Sequence, residues 1–289
     1  MSVAEPFLAE TPARRRFGSA REARLRVRLV DQILLVLFIC VAVFALIAPW
    51  FAPHNPLTQT AAPLLPPGHG TVLGTDQAGR DLLSRVLYGM RASWIATLVV
   101  VISGVIIGGA IGLAAGAVGG WFDGLLMRIT DTFLALPAPV LAIAVVAALG
   151  PSFAHVLIAV AIVWWPYYAR IVRGEVRGIA VRPHLIAARL AGTKGPRLWM
   201  RHLFPGALPA IVVAATLDVG NLLLTLAGLS FLGLGAPQPA PELGSMTAQG
   251  LPYLLVQWWV PIFPALAIFV LAFLANVGGD ALRDLMSDR

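Results

Sequence analysis

Long apolar runs, broken by short clusters of charge, set the pattern of this chain. A helix rises about 1.5 Å per residue, so about 20 apolar residues cross the roughly 30 Å hydrocarbon core of a bilayer. Six runs approach or exceed that length, at about 33–51, 92–118, 132–149, 153–169, 207–234 and 258–277. The fifth is interrupted by Asp218 and Asn221. The pattern predicts an all-α integral membrane protein with six transmembrane helices. The first run follows a basic segment, as a leader's apolar core would. It is longer than such a core and no A-x-A site follows, so it is expected to be a retained helix.

Composition and charge give the helices an orientation. The chain is 58% hydrophobic and only 12% charged, against roughly a quarter charged in soluble domains. So little charge cannot cover a soluble surface, and lipid is the required partner. The net charge of +7 does not point to nucleic acid, because its positions follow a membrane rule and no nucleic-acid-binding module is present. Seven arginines precede residue 29, and eight more cations lie from Arg170 to Arg201. With the N-terminus inside, 18 of the 21 cations face the cytoplasm and only Arg80, Arg85 and Arg91 face out. That asymmetry predicts cytoplasmic N- and C-termini. The expected organisation is a basic cytoplasmic segment at 1–29, a first span at 30–52 and an extracytoplasmic segment at 53–91. A five-helix core at 92–280, with a cytoplasmic loop at 170–206, and a cytoplasmic tail at 281–289 complete it. The single cysteine, Cys40, excludes an intrachain disulfide.

Three features stand out within this frame. Gly104, Gly108, Gly112 and Gly116 recur every four residues in the second run and form one smooth helix face. Such a face admits close helix packing, or lines a groove of a pore. Asp218 is an intramembrane carboxylate, a functional candidate by default. With Asn221 beside it, it marks a possible translocation path or a carboxylate facing the bundle, and a proton-coupled secondary transporter would use such a group. In the outward segment, Leu82, Leu83, Val86 and Leu87 share one face and predict a short amphipathic helix on the membrane. Arg80, Asp81 and Arg85 there are available to pair with one another or with a partner. The five histidines have no metal-ligand spacing, and no G-x-S-x-G or complete phosphate-binding loop is present. No catalytic residue, no metal site and no bound cofactor are expected.

The loop at 184–204 reads HLIAARLAGTKGPRLWMRHLF, a helix, a glycine break and a second helix. It resembles the coupling loop of ABC importer permeases, E-A-A with a glycine four residues on and I-x-L-P at the close. Ala187, Ala188 and Gly192 match, Leu203, Phe204 and Pro205 match the close, and Ile186 stands where the family has Glu. Three further motifs narrow the resemblance. Leu73, Gly74, Thr75 and Asp76, followed by Gly79, Arg80, Asp81, Ser84 and Arg85, are similar to LGTD-x-x-GRD-x-x-SR. Residues 229–235 read LSFLGLG. Trp258, Trp259, Phe263, Pro264, Asn276, Gly279 and Asp280 follow the W-W…FP…N…GD ending. The chain is thereby identified, over about residues 30–286, as a member of the C-type permeases of dipeptide, oligopeptide and nickel importers. That resemblance implies the type I ABC importer permease fold and a non-catalytic subunit in a prokaryotic cytoplasmic membrane. It implies four partners: a homologous second permease, two ATPase subunits that carry ATP and Mg, and an extracytoplasmic substrate-binding protein. It assigns His184, Ala187, Ala188, Gly192, Arg201 and Pro205 to the loop the ATPase grips. Peptide is the expected cargo, with nickel the alternative.

Overall fold

The computed structural model describes residues 14–150 and 152–287, with side chains from Leu29 onward. The N-terminal arginines therefore lie outside the described side chains. The fold is all-α, and among the described residues the only extended pairing is an isolated bridge between Thr75 and Asp81. Among the described residues five helices are long and apolar enough to span a membrane, or six if a bent helix pair is counted as one span. The spans are α1 (Arg14–Ile47), α2 (Leu82–Val118), the pair α3 (Gly120–Leu134) and α4 (Ala138–Leu149), and α5 (Phe153–Ala180). A short α6 (Pro183–Leu190) and a single turn α7 (Pro196–Leu198) then lead through a π-helical turn into the fifth span, α8 (Phe204–Leu229). A short α9 (Leu243–Gly250) precedes the last span, α10 (Trp259–Ser287).

Two expectations are corrected. The third run is not one straight span, because α3 and α4 meet at 85°. The cause is local: Pro137 closes the break as the N-cap of α4 and pushes the preceding Leu136 out of helical geometry, while Pro139 sits in the first turn of α4, where proline is tolerated. With 12 residues, α4 is only about 18 Å long and cannot cross alone. The second correction concerns the outward amphipathic helix, which is not a separate helix but the first turns of α2 itself. At 37 residues α2 is about 55 Å long, so it projects well beyond a bilayer core. Its Leu82 and Val86 are buried in the main core with Leu243, Met246, Trp259 and Val260.

Residues 52–81 fold over that projecting end as a cap, organised by Asp76. Its Oδ1 accepts from the backbone N–H groups of Ala78 (2.8 Å) and Arg80 (3.0 Å). Its Oδ2 accepts from Arg80 Nε at 2.7 Å and lies 3.1 Å from Arg85 Nε. Arg80 and Arg85 are 5% and 2% exposed, so both are structural ions. Arg85 also donates to the Pro56 and Pro239 carbonyls, tying the cap to the segment before α9. Asp81 caps α2 by accepting from the Ser84 N–H at 2.9 Å. Gly79 sits at φ +71° against the Ala61 carbonyl, where a side chain has neither the conformation nor the room. The cations expected to face out are thus largely internal, and Arg91 is the exposed one of the three.

The most extensive helix contact is α2 on α5. Gly104, Gly108, Gly112 and Gly116 all face α5. A Cβ on any of them would come within 3 Å of Trp165, Tyr168, Ala169, Val172, Arg173 or Val176 atoms. Gly109, one position round the helix, has nothing within 4 Å. Small residues permit this approach, and dispersion contact then holds the helices where lipid supplies no hydrophobic drive.

Two outcomes follow. Gly108→Ala should destabilise the purified protein by about 1–3 kcal/mol through overpacking, while Gly109→Ala leaves its thermal unfolding unchanged; unfolding in detergent checks both. Asp76→Ala leaves two buried arginines uncompensated and should cost about 3–5 kcal/mol. Faster proteolysis within residues 52–81 is the measurable sign.

Candidate functional site: the loop helix and the intramembrane carboxylate

The loop between α5 and α8 lies at the opposite end of α2 from the cap and has a core of its own. Leu185, Leu198 and Leu203 are buried with Val172, Val176 and Ile179 of α5 and with Ala207 and Ile211 of α8. That anchorage turns the other face of α6 outward. His184 and Ala187 are exposed, and Ala188 is half-buried against the small core. Ile186 and Leu190, one turn apart, are 47% and 84% exposed. Arg201 is exposed in the π-helical turn, and Pro205 is exposed at the second position of α8. The glycine four residues after Ala188 has a physical explanation. Gly192 (φ +90°) ends α6 in a Schellman motif: the Thr193 N–H donates to the Ala188 carbonyl and the Gly192 N–H to the Arg189 carbonyl, both at 3.0 Å.

The loop is braced to α3 by ion pairs. Arg173 forms a two-pronged pair with Asp123, Nε to Oδ1 at 2.5 Å and Nη2 to Oδ2 at 2.8 Å. Arg177 Nη2 adds a second cation to the same carboxylate at 2.8 Å. Arg170 Nη2 reaches Asp131 Oδ1 at 2.6 Å. Three of the eight cations assigned to the loop therefore hold α5 to α3, and the loop surface is less basic than their number suggests.

Asp218 lies near the middle of α8 and is 5% exposed. Its Oδ2 accepts from Trp164 Nε1 at 2.5 Å and from Tyr168 OH at 2.8 Å, both on α5. Asp218 and Asn221 line an open cavity of about 360 Å³ together with Trp164 and Tyr167. Leu134, Ala138 and Val163 supply its apolar wall, so the cavity opens beside the break between α3 and α4. Asn221 is exposed in the isolated chain. A bare amide at that depth is expensive against lipid, so this side faces protein or an aqueous path. Sequence reasoning missed the two donors and the exposed pair on α6. The signals were present: Trp164 and Tyr168 are spaced i, i+4, and so are Ile186 and Leu190. The structure does not bring the loop residues and the Asp218 cavity together; they are separate sites. Among the described residues, no group of three or more His, Cys, Asp or Glu side chains could hold a metal ion.

Comparison with known proteins places this geometry. Residues 108–289 match the family described as binding-protein-dependent transport system inner membrane component. A probable D,D-dipeptide transport system permease of Escherichia coli is 41% identical over 260 residues, covering 90% of this chain and 86% of that protein. A dipeptide transport system permease of Alkalihalophilus pseudofirmus is 37% identical, covering 99% of this chain and 92% of that one. A nickel transport system permease of Escherichia coli is 35% identical, covering 88% and 92%. Among solved structures, an amino acid ABC transporter shares the fold, with a TM-score of 0.52 at 20% identity over 70% of this chain and 91% of that one. The chain belongs to the binding-protein-dependent inner membrane components and is an ABC importer permease of the group that includes peptide and nickel permeases.

Proposed function

We propose that this permease forms half of a translocation pore for di- or oligopeptides and takes its energy from separate ATPase subunits. The observation that carries the reading is the construction of the loop: α6 is anchored through Leu185 to the ends of α5 and α8, and presents Ile186, Ala187 and Leu190 to a partner. A rigidly held helix with an exposed apolar face transmits displacement to the spans it is packed on. A population shift between pore states needs such differential contact. Ile186, where the resemblance has Glu, makes the contact more apolar here.

In this reading the termini and the loop are cytoplasmic, which the cation count supports. Two ATPase subunits, holding ATP and Mg, close beneath the pore, and each grips one loop. A homologous permease supplies the other half. A substrate-binding protein delivers cargo to the cap side, in a prokaryotic cytoplasmic membrane. Peptide is the cargo favoured by the names of the most similar relatives. The nickel permease among them keeps that ion as the second reading. Membership of an ATP-driven importer family leaves a proton-coupled carrier without support.

The test uses the assembled transporter in proteoliposomes. Gly192→Pro removes the N–H of the Schellman motif and forbids its φ; Ala188→Arg overfills the small core. Each should cut ATP-dependent uptake by about tenfold or more, about 1.4 kcal/mol of lost coupling, while ATP hydrolysis continues. Full uptake by either assembled variant would overturn the assignment. Leu190→Asp should weaken co-purification of the ATPase.

A further inference from the structure

The carboxylate of Asp218 is buried without a counter-ion. Both of its hydrogen-bond donors, an indole N–H and a phenol, are neutral, and both engage Oδ2. Among the described residues Oδ1 has no hydrogen-bond donor, and no Lys, Arg or His lies within ion-pair distance of Asp218. Two other buried carboxylates, Asp76 and Asp123, are each met by two arginines. Glu242 and Asp81 are also buried without an arginine, but Glu242 has a donor on each oxygen and the unpaired Asp81 Oδ1 is wholly enclosed, whereas Asp218 borders an open cavity inside a span. Uncompensated buried charge is costly, and in a membrane segment it persists where a charge must be received.

The cavity beside Asp218 has the chemistry to receive one. Asp218 supplies a negative charge when ionised, and the aromatic rings of Trp164 and Tyr167 line the same space, a combination that suits a cation. Asn221 adds an uncharged amide one turn along on the same face of α8. The two helix ends at the neighbouring break, the C-terminus of α3 and the N-terminus of α4, present dipoles of opposite sign. Asp218 therefore sets the sign of the site. At about 360 Å³ the space lies within the range of small-molecule sites, and its open form suits passage rather than retention.

We infer that Asp218, with Trp164, Tyr167 and Asn221, is a transit subsite for the ammonium group of the passing peptide, engaged by Asp218 Oδ1. The inference rests on the peptide reading above. It orients cargo by its cationic end, and a free peptide carboxylate is turned away from α8 by like charge. The group of three carboxylate, thiol or imidazole ligands that a transition metal favours does not assemble among the described residues, which selects ammonium over a metal ion.

The assembled transporter without its binding protein, in nanodiscs, provides the test. Saturation-transfer NMR would be recorded with Ala-Ala, with N-acetyl-Ala-Ala and with Ala-Ala in the presence of nickel chloride. The expected result is transfer to Ala-Ala, about tenfold weaker apparent affinity in Asp218→Asn, recovery in Asp218→Glu, and little transfer to the acetylated peptide. Equal binding of the two peptides would overturn the inference, as would an unchanged affinity in Asp218→Asn. Loss of transporter assembly in both variants would also overturn it, because Asp218 would then be a structural ion satisfied by a partner. Displacement of Ala-Ala by nickel only when Asp218 is present would reassign the site to a metal ion. Uptake by the complete transporter, wild-type and Asp218→Asn, separates the two levels. Peptide uptake that is normal in Asp218→Asn sinks the subsite alone, whereas nickel uptake without peptide uptake sinks the peptide reading beneath it.

Discussion

The close approach of α2 and α5 is the contact on which the rest of the molecule depends. Four glycines remove the side chains that would hold these helices apart, and the consequences run along the whole of α5. Gly104 and Gly108 receive Tyr168, whose hydroxyl then meets Asp218 on α8. Gly112 and Gly116 receive the backbone near Arg173 and the side chain of Val176. Arg173 is thereby placed to hold Asp123 of α3, and Val176 joins the small core that anchors α6. One stripe of missing side chains thus positions both the intramembrane carboxylate and the loop helix. In lipid this is the available means of tight association, because apolar side chains gain little by leaving one hydrocarbon for another.

Charge is used in two distinct ways. Asp76 at the cap and Asp123 between α3 and α5 are each met by two arginines. The Asp76 cluster is buried in protein, and its ions contribute geometry by fastening the 52–81 segment, α2 and the segment before α9 to one another. Asp218, inside a span, is instead held only by neutral donors and borders an open cavity.

The family motifs gain physical meaning from this arrangement. In LGTD-x-x-GRD-x-x-SR the acidic and basic residues are the capping and pairing groups of the cap, and Gly79 sits where only a glycine fits. The glycine of the loop motif is the terminator of α6. Of the two expectations for Arg80, Asp81 and Arg85, pairing within the segment or with a partner, the intrachain contacts are the ones present.

The number of spans, the all-helical class and the family were legible in the sequence, because apolar run length, cation asymmetry and motif order are properties of consecutive residues. The glycine periodicity was legible for the same reason, as were Asp218 and the loop. The break in the third crossing was missed, since a hydropathy run does not register that Pro137 interrupts the helix within it. The fate of Leu82 and Val86 was also missed: an amphipathic pattern states that a face is buried, but not whether lipid or protein buries it. Only the tertiary structure decided that Arg80 and Arg85 are internal, that Trp164 and Tyr168 hold Asp218, and that Ile186 and Leu190 are the presented face of α6. Each of those depends on which segments touch, and such contact is set by packing in three dimensions rather than by the local pattern along the chain.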